Sequence, residues 1–193
     1  MKRQVNFIVL LFLITIWIWP SANAADSTPQ AVGPASSSAL PGPWVDTEQA
    51  AVLLQDYFKR LKLDVTLVPN QELKTFKVNT PIRMVNASHI LYAIIDTNRS
   101  FVYLYLNRYM MAKPGSPGLS KLLQRLMEEN YNLNVGKFEW DKSDGEVRFS
   151  YTFTTENGLG YEAFSAIVET LLKTGDRFWP ELHGLAEGLT PQQ

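Results

Sequence analysis

The chain contains no cysteine and only two histidines among its 193 residues. The lack of cysteine excludes disulfides and thiolate metal ligands, so the folded part must be held together by its core. His89 and His183 do not form a zinc motif such as H-E-x-x-H. The net charge is −1, and no basic patch suited to nucleic-acid phosphates is present. We therefore expect no metal, no cofactor and no nucleic-acid partner.

A long hydrophobic run occurs only at the start of the chain. Lys2 and Arg3 precede an apolar stretch over residues 7–19, and Ala22 and Ala24 follow as small residues. A charged head, a short apolar body and an A-x-A exit are the three parts of a secretory signal peptide. We predict a signal peptide over residues 1–24 and a periplasmic or secreted protein. The alternative is an anchor in the inner membrane formed by residues 5–19, although the run is shorter than the roughly 20 residues that span a bilayer.

Residues 25–45 are rich in Pro, Ser and Gly and poor in large apolar side chains. Such a segment cannot bury enough surface to offset the entropy lost on ordering, so we predict a disordered linker. Without Lys2 and Arg3 the chain keeps 16 basic and 19 acidic residues, a net charge of −3. We predict one domain over residues 46–185, followed by a flexible tail over residues 186–193.

The first half of this domain has the pattern of a helix followed by strands. Asp46 and Gln49 are spaced as a capping box before a helix that runs to about Lys62. Pro81 indicates an edge position among the short strands that follow. The run over residues 90–95 is apolar on both faces, which predicts a central strand covered on both sides. The predicted strands are residues 65–68, 76–78, 82–85, 90–96 and 101–108.

The second half reads as a helix, a hairpin and a helix. Leu119, Leu122, Leu123, Leu126 and Met127 form one apolar stripe. A hairpin follows over residues 135–154, with its turn at residues 142–145. The last helix carries apolar residues at helical spacing, and we predict that it ends at residue 180, a proline. The order α-β-β-β-α-β-β-α, with room for one extra short strand, predicts an α+β fold with an antiparallel twisted sheet and flanking helices.

Three segments together resemble the YbjN-like family of bacterial sensory transduction regulators. They are residues 133–141, the turn at residues 144–145 and residues 176–182. The resemblance covers most of residues 47–185 and is sharpest over residues 119–182. It implies a fold similar to the type III secretion chaperones and a non-catalytic role, with no functional side chains to carry over. Those chaperones work in the cytosol, whereas this chain carries an export signal, so the resemblance does not imply that literal role.

No constellation of catalytic side chains is apparent. The acidic pairs Glu128–Glu129 and Glu139–Asp141 could in principle perform acid–base chemistry. They lie at a helix end and beside a hairpin turn, where a solvated surface is the simpler interpretation. We predict no catalytic residues. An envelope hydrolase that uses carboxylates is an alternative, and a membrane-anchored sensory component is another.

The predicted strand at residues 101–108 carries aromatic side chains on one face and aliphatic side chains on the other. Phe101, Tyr103 and Tyr105 alternate with aliphatic residues, and Tyr109 continues the aromatic series. Tyrosine is enriched at interfaces because it combines large area with a polar tip. We predict that Phe101, Tyr103 and Tyr105 form the interface for a protein partner or for a second copy of the chain. The alternative is that a helix of the same chain covers them.

The first prediction concerns processing. We expect the protein recovered from the periplasmic fraction to begin at Ala25, because Ala22 and Ala24 occupy the positions that a signal peptidase reads. Intact-mass measurement checks this expectation. Recovery of the full-length chain from membranes alone would contradict cleavage and support the anchor.

Overall fold

The computed structural model describes residues 42–189. The predicted signal peptide, most of the predicted linker and residues 190–193 lie outside the described residues. The elements are α1 (Thr47–Arg60), β1 (Thr66–Asn70), β2 (Thr75–Arg83), β3 (Ser88–Asp96), a 3-10 turn (Thr97–Arg99), β4 (Phe101–Met111), α2 (Leu119–Asn132), β5 (Lys137–Trp140), β6 (Glu146–Thr154) and α3 (Tyr161–Ala186). None of the helices within these bounds is long and apolar enough to cross a bilayer.

The six strands form one antiparallel sheet in the order β1-β2-β3-β4-β6-β5. The predicted α+β class and antiparallel sheet with flanking helices are therefore confirmed. Four strands precede α2, so the extra strand exists. The two pieces predicted at residues 76–78 and 82–85 are one strand, β2. Pro81 lies in this strand beyond Asn79, the last residue paired with β1, so no strand on that side needs its missing N–H.

The sequence signals at two element boundaries act as predicted. The Asp46 side chain accepts a hydrogen bond from the backbone N–H of Gln49 at 2.8 Å and caps α1. Gly145 closes the hairpin between β5 and β6 at a φ of +83°, a conformation that costs glycine little. These short-range interactions need no information from the rest of the fold.

The core lies between the sheet and its helices, on one face of the sheet. Alternate residues of β3 and β4 point into this core and are fully buried, as are the inward residues of each helix. The fully buried residues include Leu91, Ala93 and Ile95 of β3, Val102, Leu104 and Leu106 of β4, Leu54 and Phe58 of α1, Leu122 of α2, and Phe164, Leu171 and Leu182 of α3. Met127, which the predicted stripe of α2 included, is instead 69% exposed.

The opposite face of the central strands is open, which corrects the prediction for β3. Tyr92 and Ile94 are half-buried and Ile90 is 41% exposed, and no helix of the described chain covers them. An apolar run indicates that a strand is central in a sheet, but it does not reveal whether both faces are covered. Here contacts among the aromatic side chains of this face provide the partial burial.

A bulge in β4 changes which face Tyr109 occupies. Leu106 pairs with Phe149 and Met110 with Val147, so three residues of β4 lie opposite a single residue of β6. Arg108 adopts a φ of +44° within this bulge, and its N–H donates to the carboxylate of Glu146 at 2.9 Å. Tyr109 consequently turns into the core, where its hydroxyl donates to the carbonyl of Gly175 at 2.6 Å. It does not continue the aromatic series, because the bulge breaks the two-residue period of the strand.

The last helix does not end at its proline. Pro180 lies inside α3, which continues to Ala186. A proline removes the N–H that would bond the carbonyl four residues earlier, here that of Asp176. The side chain of Asn86 donates to this carbonyl at 3.0 Å, and the Asp176 carboxylate accepts the backbone N–H groups of Asn86 and Val85. The β2–β3 turn therefore provides the hydrogen bond that Pro180 removes.

The limits of the ordered domain also differ from the prediction. Trp44, placed in the predicted linker, is 7% exposed, stacks edge-on against Phe153 and donates its backbone N–H to the carbonyl of Thr155 at 2.9 Å. Packing therefore begins before residue 46. At the other end Ala186 is the last residue of α3 and is buried, and the backbone N–H groups of residues 187–189 donate to carbonyls of the last turn of α3, so ordered structure extends into the segment predicted as a tail.

The hydrogen bond from the Asn86 side chain to the carbonyl of Asp176 gives the second prediction. Asn86→Ala should lower the free energy of unfolding by about 1 kcal/mol, the usual net value of one hydrogen bond. In a Pro180→Ala background the helix regains its own N–H at residue 180. The cost of Asn86→Ala should then fall by about 0.5 kcal/mol or more.

Urea denaturation of the four proteins in this cycle measures the coupling between the two sites. Asn98→Ala, an exposed asparagine in the 3-10 turn, is the control and should be additive with Pro180→Ala. Additivity of Asn86→Ala with Pro180→Ala would contradict the proposed replacement of the helix hydrogen bond.

Candidate functional site

The open face of the sheet carries rows of side chains that cross from strand to strand. One row consists of Val68, Lys77, Ile94, Tyr103 and Thr152, one residue from each of β1, β2, β3, β4 and β6. Neighbouring strands lie about 4.8 Å apart, so this row spans roughly 19 Å. The next row contains Asn79, Tyr92, Tyr105, Ser150 and Lys137. We call Tyr92, Phe101, Tyr103 and Tyr105 the tyrosine face.

The aromatic rings of the tyrosine face contact one another. The ring centroids of Tyr103 and Tyr105 are 4.8 Å apart in a stacked arrangement, and those of Tyr92 and Tyr105 are 5.2 Å apart. Two cations flank them: the Lys77 ammonium lies 4.7 Å from the Tyr92 centroid and the Arg148 guanidinium 4.9 Å from that of Tyr105. Contacts of this kind hold large side chains in fixed orientations on an otherwise uncovered surface.

A groove of about 1000 Å³ runs over this surface. Its floor includes Ile94, Phe101 and Tyr103, and one wall is formed by the β1–β2 hairpin. In that wall Val68 is 40% exposed and Leu73 is 62% exposed. The groove is therefore a concave and largely apolar surface with a polar margin, which is the usual character of a binding site.

Glu139 of β5 holds the hydroxyl end of the Tyr103 side chain in place. Its carboxylate accepts hydrogen bonds from the Tyr103 hydroxyl and from Ser150 Oγ, the latter at 2.9 Å, and pairs with Lys137 Nζ at 2.7 Å. Burial alone would raise the pKa of Glu139, but the hydrogen bonds from Lys137, Tyr103 and Ser150 outweigh it and lower this pKa. Burial and the bond to Glu139 raise the pKa of Tyr103. The pair therefore carries one fixed negative charge at neutral pH.

A second buried carboxylate supports the bulge beside the tyrosine face. Glu146 is 5% exposed and accepts from the Arg148 guanidinium at 2.6 Å as well as from the backbone of Arg108. These bonds outweigh the effect of burial and lower the pKa of Glu146. The bond to Glu146 is in turn the largest contribution that raises the pKa of Arg148. Arg148 is thus a permanent cation held over the Tyr105 ring.

Glu139 and Glu146 both line a smaller depression of about 430 Å³ next to Tyr103. A carboxylate hydrolase needs one carboxyl group with a raised pKa to act as the general acid. The environment of both groups lowers the pKa, because each pairs with a cation. Of the predicted acidic pairs, Glu129 is buried and forms an ion pair with Arg125 on the same helix. The ion pairs and lowered pKa values of these carboxylates therefore favour a structural role over a role in acid–base catalysis.

The two histidines each pack against a different aromatic residue. The ring of His89 packs 5.3 Å from that of Tyr109, and burial lowers the pKa of His89 despite the nearby Asp176 carboxylate. His183 stacks on Trp179 at 4.2 Å. Within residues 42–189, no group of three His, Asp or Glu side chains could hold a metal ion.

The structure brings the three predicted interface residues together on one face. Phe101, Tyr103 and Tyr105 alternate along β4 without interruption, because the bulge begins only after Leu106. Sequence reasoning did not place Tyr92, Lys77 or Glu139 at this face, and it considered Glu139 only as part of an acidic pair. The sequence shows that Tyr92 points to the opposite side of β3 from Leu91 and Ala93. It does not show which of these two sides is exposed, because that depends on where the helices pack.

Comparison with known proteins supports the family resemblance. A family model, YbjN, described as "Putative bacterial sensory transduction regulator", matches residues 95–184. This range runs from the end of β3 through most of α3, so the resemblance predicted from the sequence is confirmed over residues 95–184, whereas residues 47–94 lie outside the match. A search of curated proteins found no match.

Two solved structures align with this chain at low sequence identity. One, described as "Structure of the HopA1-SchA Chaperone-Effector Complex", is 18% identical with a TM-score of 0.45, and the alignment covers 67% of this chain and 91% of that one. The other, described as "Crystal Structure of the ExsC-ExsE Complex", is 13% identical with a TM-score of 0.42, covering 70% and 95% respectively.

The third prediction follows from the lowered pKa of Glu139. A carboxylate whose pKa is lower in the folded state adds stability above its ordinary value of 4.5, and this stability is lost as the pH falls through the folded value. Glu139→Gln should therefore be less stable than wild type by about 1 kcal/mol at pH 7. The difference should shrink steadily below pH 4.5.

Urea denaturation between pH 7 and pH 3 checks this expectation. Glu72→Gln is the matched control, because Glu72 is exposed in the turn between β1 and β2. A stability difference for Glu139→Gln that stays constant over this range would contradict the role of the carboxylate charge.

Proposed function

We propose that this chain is an exported, non-catalytic regulatory or chaperone-like protein of the YbjN-like family, and that it recognises a protein partner through the tyrosine face. Export is supported by the charged head, the apolar run and the small residues at Ala22 and Ala24. The family assignment is supported by the match over residues 95–184.

The observation that carries the proposal is the one-sided covering of the sheet. All three helices pack on the core face, while the other face carries the half-buried Tyr92, Phe101 and Tyr103 and the more deeply buried Tyr105 beside a groove. Contiguous apolar patches on a soluble protein usually mark a site of interaction. Tyrosines suit such a site because their rings are already fixed by mutual contacts and lose little conformational freedom on binding.

The segments that carry the family resemblance support the fold, and one of them reaches the site. Gly136 lets the Phe149 ring approach the backbone, and Asp176 with Pro180 anchors the β2–β3 turn. Glu139, in the segment 133–141, positions Tyr103 on the tyrosine face. The segments that carry the family resemblance therefore stabilise the fold beneath the tyrosine face, and one of them supplies a polar contact to that face.

The test compares Phe101→Ala and Tyr103→Ala with Tyr131→Ala. Tyr131 is 91% exposed on α2 and is the matched control, because α2 packs against the opposite side of the sheet. We expect each variant of the tyrosine face to reduce co-purification of the native envelope partner, or self-association, by about tenfold or more. Tyr131→Ala should change neither.

Quantitative mass spectrometry of the co-purified proteins, light scattering and circular dichroism provide the measurements. Alanine is preferred to glutamate at residue 103, because a new carboxylate would lie beside Glu139 and repel it. Folded Phe101→Ala and Tyr103→Ala proteins with unchanged partners and unchanged mass would contradict the proposal.

A further inference from the structure

The ionisable groups around the groove are not evenly balanced. At the end formed by β5 and β6 the two carboxylates closest to the tyrosine face are each paired, Glu139 with Lys137 and Glu146 with Arg148. At the opposite end the lining contains the cations Lys77 and Arg99 and a single carboxylate, Asp96. The charged side chains that line that end of the groove therefore sum to +1, on a protein whose overall charge is negative.

The single carboxylate at the positive end is not available to a ligand. The Asp96 side chain is 8% exposed, accepts the backbone N–H of Arg99 at 3.1 Å, and lies 3.6 Å from the Arg99 guanidinium. The Arg99 side chain is 75% exposed, so most of its guanidinium remains open to solvent. Arg99 can therefore form a second ion pair without giving up the first.

Lys77 has no carboxylate partner within residues 42–189. Its ammonium group lies over the Tyr92 ring, which holds the side chain above the open face of the sheet. Lys77 shares a cross-strand row with Val68, Ile94 and Tyr103. A free cation therefore lies directly beside the apolar floor of the groove.

The backbone of the groove floor cannot hold a ligand by strand addition. At the floor positions 77, 94 and 103, strands β2, β3 and β4 each pair with a neighbour on both sides, so the N–H and C=O groups there are used within the sheet. A ligand in the groove is consequently recognised by side chains. The floor and the exposed wall offer apolar and aromatic side chains, one end offers cations, and uncharged polar side chains of Asn70, Gln71, Asn98 and Thr152 complete the lining.

We propose that the groove takes an acidic, apolar segment of a partner protein. An Asp or Glu of that segment would pair with Lys77 and Arg99, and adjoining apolar or aromatic side chains would pack on Val68, Leu73 and Phe101. This inference rests on the proposed function, and it adds the chemistry of the partner. Charge complementarity selects the segment and sets its direction along the groove.

Three labelled peptides of equal length test the proposal by fluorescence anisotropy with the mature protein. Each has the same Phe and Leu residues between flanking Gly and Ser, and they differ only in carrying Asp, Asn or Lys at two positions. We expect the Asp peptide to bind about tenfold more tightly than the Asn peptide, and the Lys peptide to bind most weakly. The preference should weaken as salt screens the charges.

The variant Lys77→Gln combined with Arg99→Gln should remove the preference for the Asp peptide, so that the Asp and Asn peptides bind alike. Lys173→Gln is the matched control, because Lys173 is exposed on α3 and pairs with Glu169. Phe101→Ala should weaken the binding of the Asp and Asn peptides alike, since both share the apolar contacts.

Equal binding of the Asp and Asn peptides, with both weakened by Phe101→Ala, would overturn this inference and leave the proposed function standing. Failure of the Asp peptide to bind would also overturn it. In that case light scattering separates two results: a dimer disrupted by Phe101→Ala assigns the face to a second copy, whereas a monomer with unchanged native partners contradicts the proposed function as well.

Discussion

The packing of all three helices on one face of a six-stranded sheet is the constraint on which the rest of the structure depends. The largest fully buried side chains lie between the helices and this face of the sheet, from Phe58 of α1 to Leu182 of α3. The opposite face of the central strands is left without a covering element in the described domain. Its aromatic and cationic side chains are fixed by contact with one another and with Glu139, so the face is preorganised, and of its four aromatic residues Tyr105 alone, at 7% exposed, is buried.

Short-range signals in the sequence predicted much of this architecture. The Asp46 cap, the turn at Gly145 and the alternation along β4 and β6 depend only on residues a few positions apart. The grouping of Phe101, Tyr103 and Tyr105 followed from the same two-residue period. These predictions were accurate because local stereochemistry, rather than tertiary packing, decides them.

The predictions that were wrong depend on distant residues. Pro180 continues a helix because Asn86, far away in the chain, bonds the carbonyl that the proline leaves free. Tyr109 enters the core because the buried Glu146 carboxylate supports a bulge in the neighbouring strand. The open face of β3, and with it Tyr92, could not be read from an apolar run, since the run has the same composition whether one or two layers cover it.

The measurement that tests this account most directly is site-specific photo-cross-linking in the native cells. A photoreactive phenylalanine analogue would replace Phe101 on the tyrosine face or Tyr131 on the outer side of α2, which is 91% exposed. The account predicts a discrete cross-linked product from residue 101 and none from residue 131. Cross-linking from residue 131 with none from residue 101 would contradict the claim that the open face of the sheet is the binding surface.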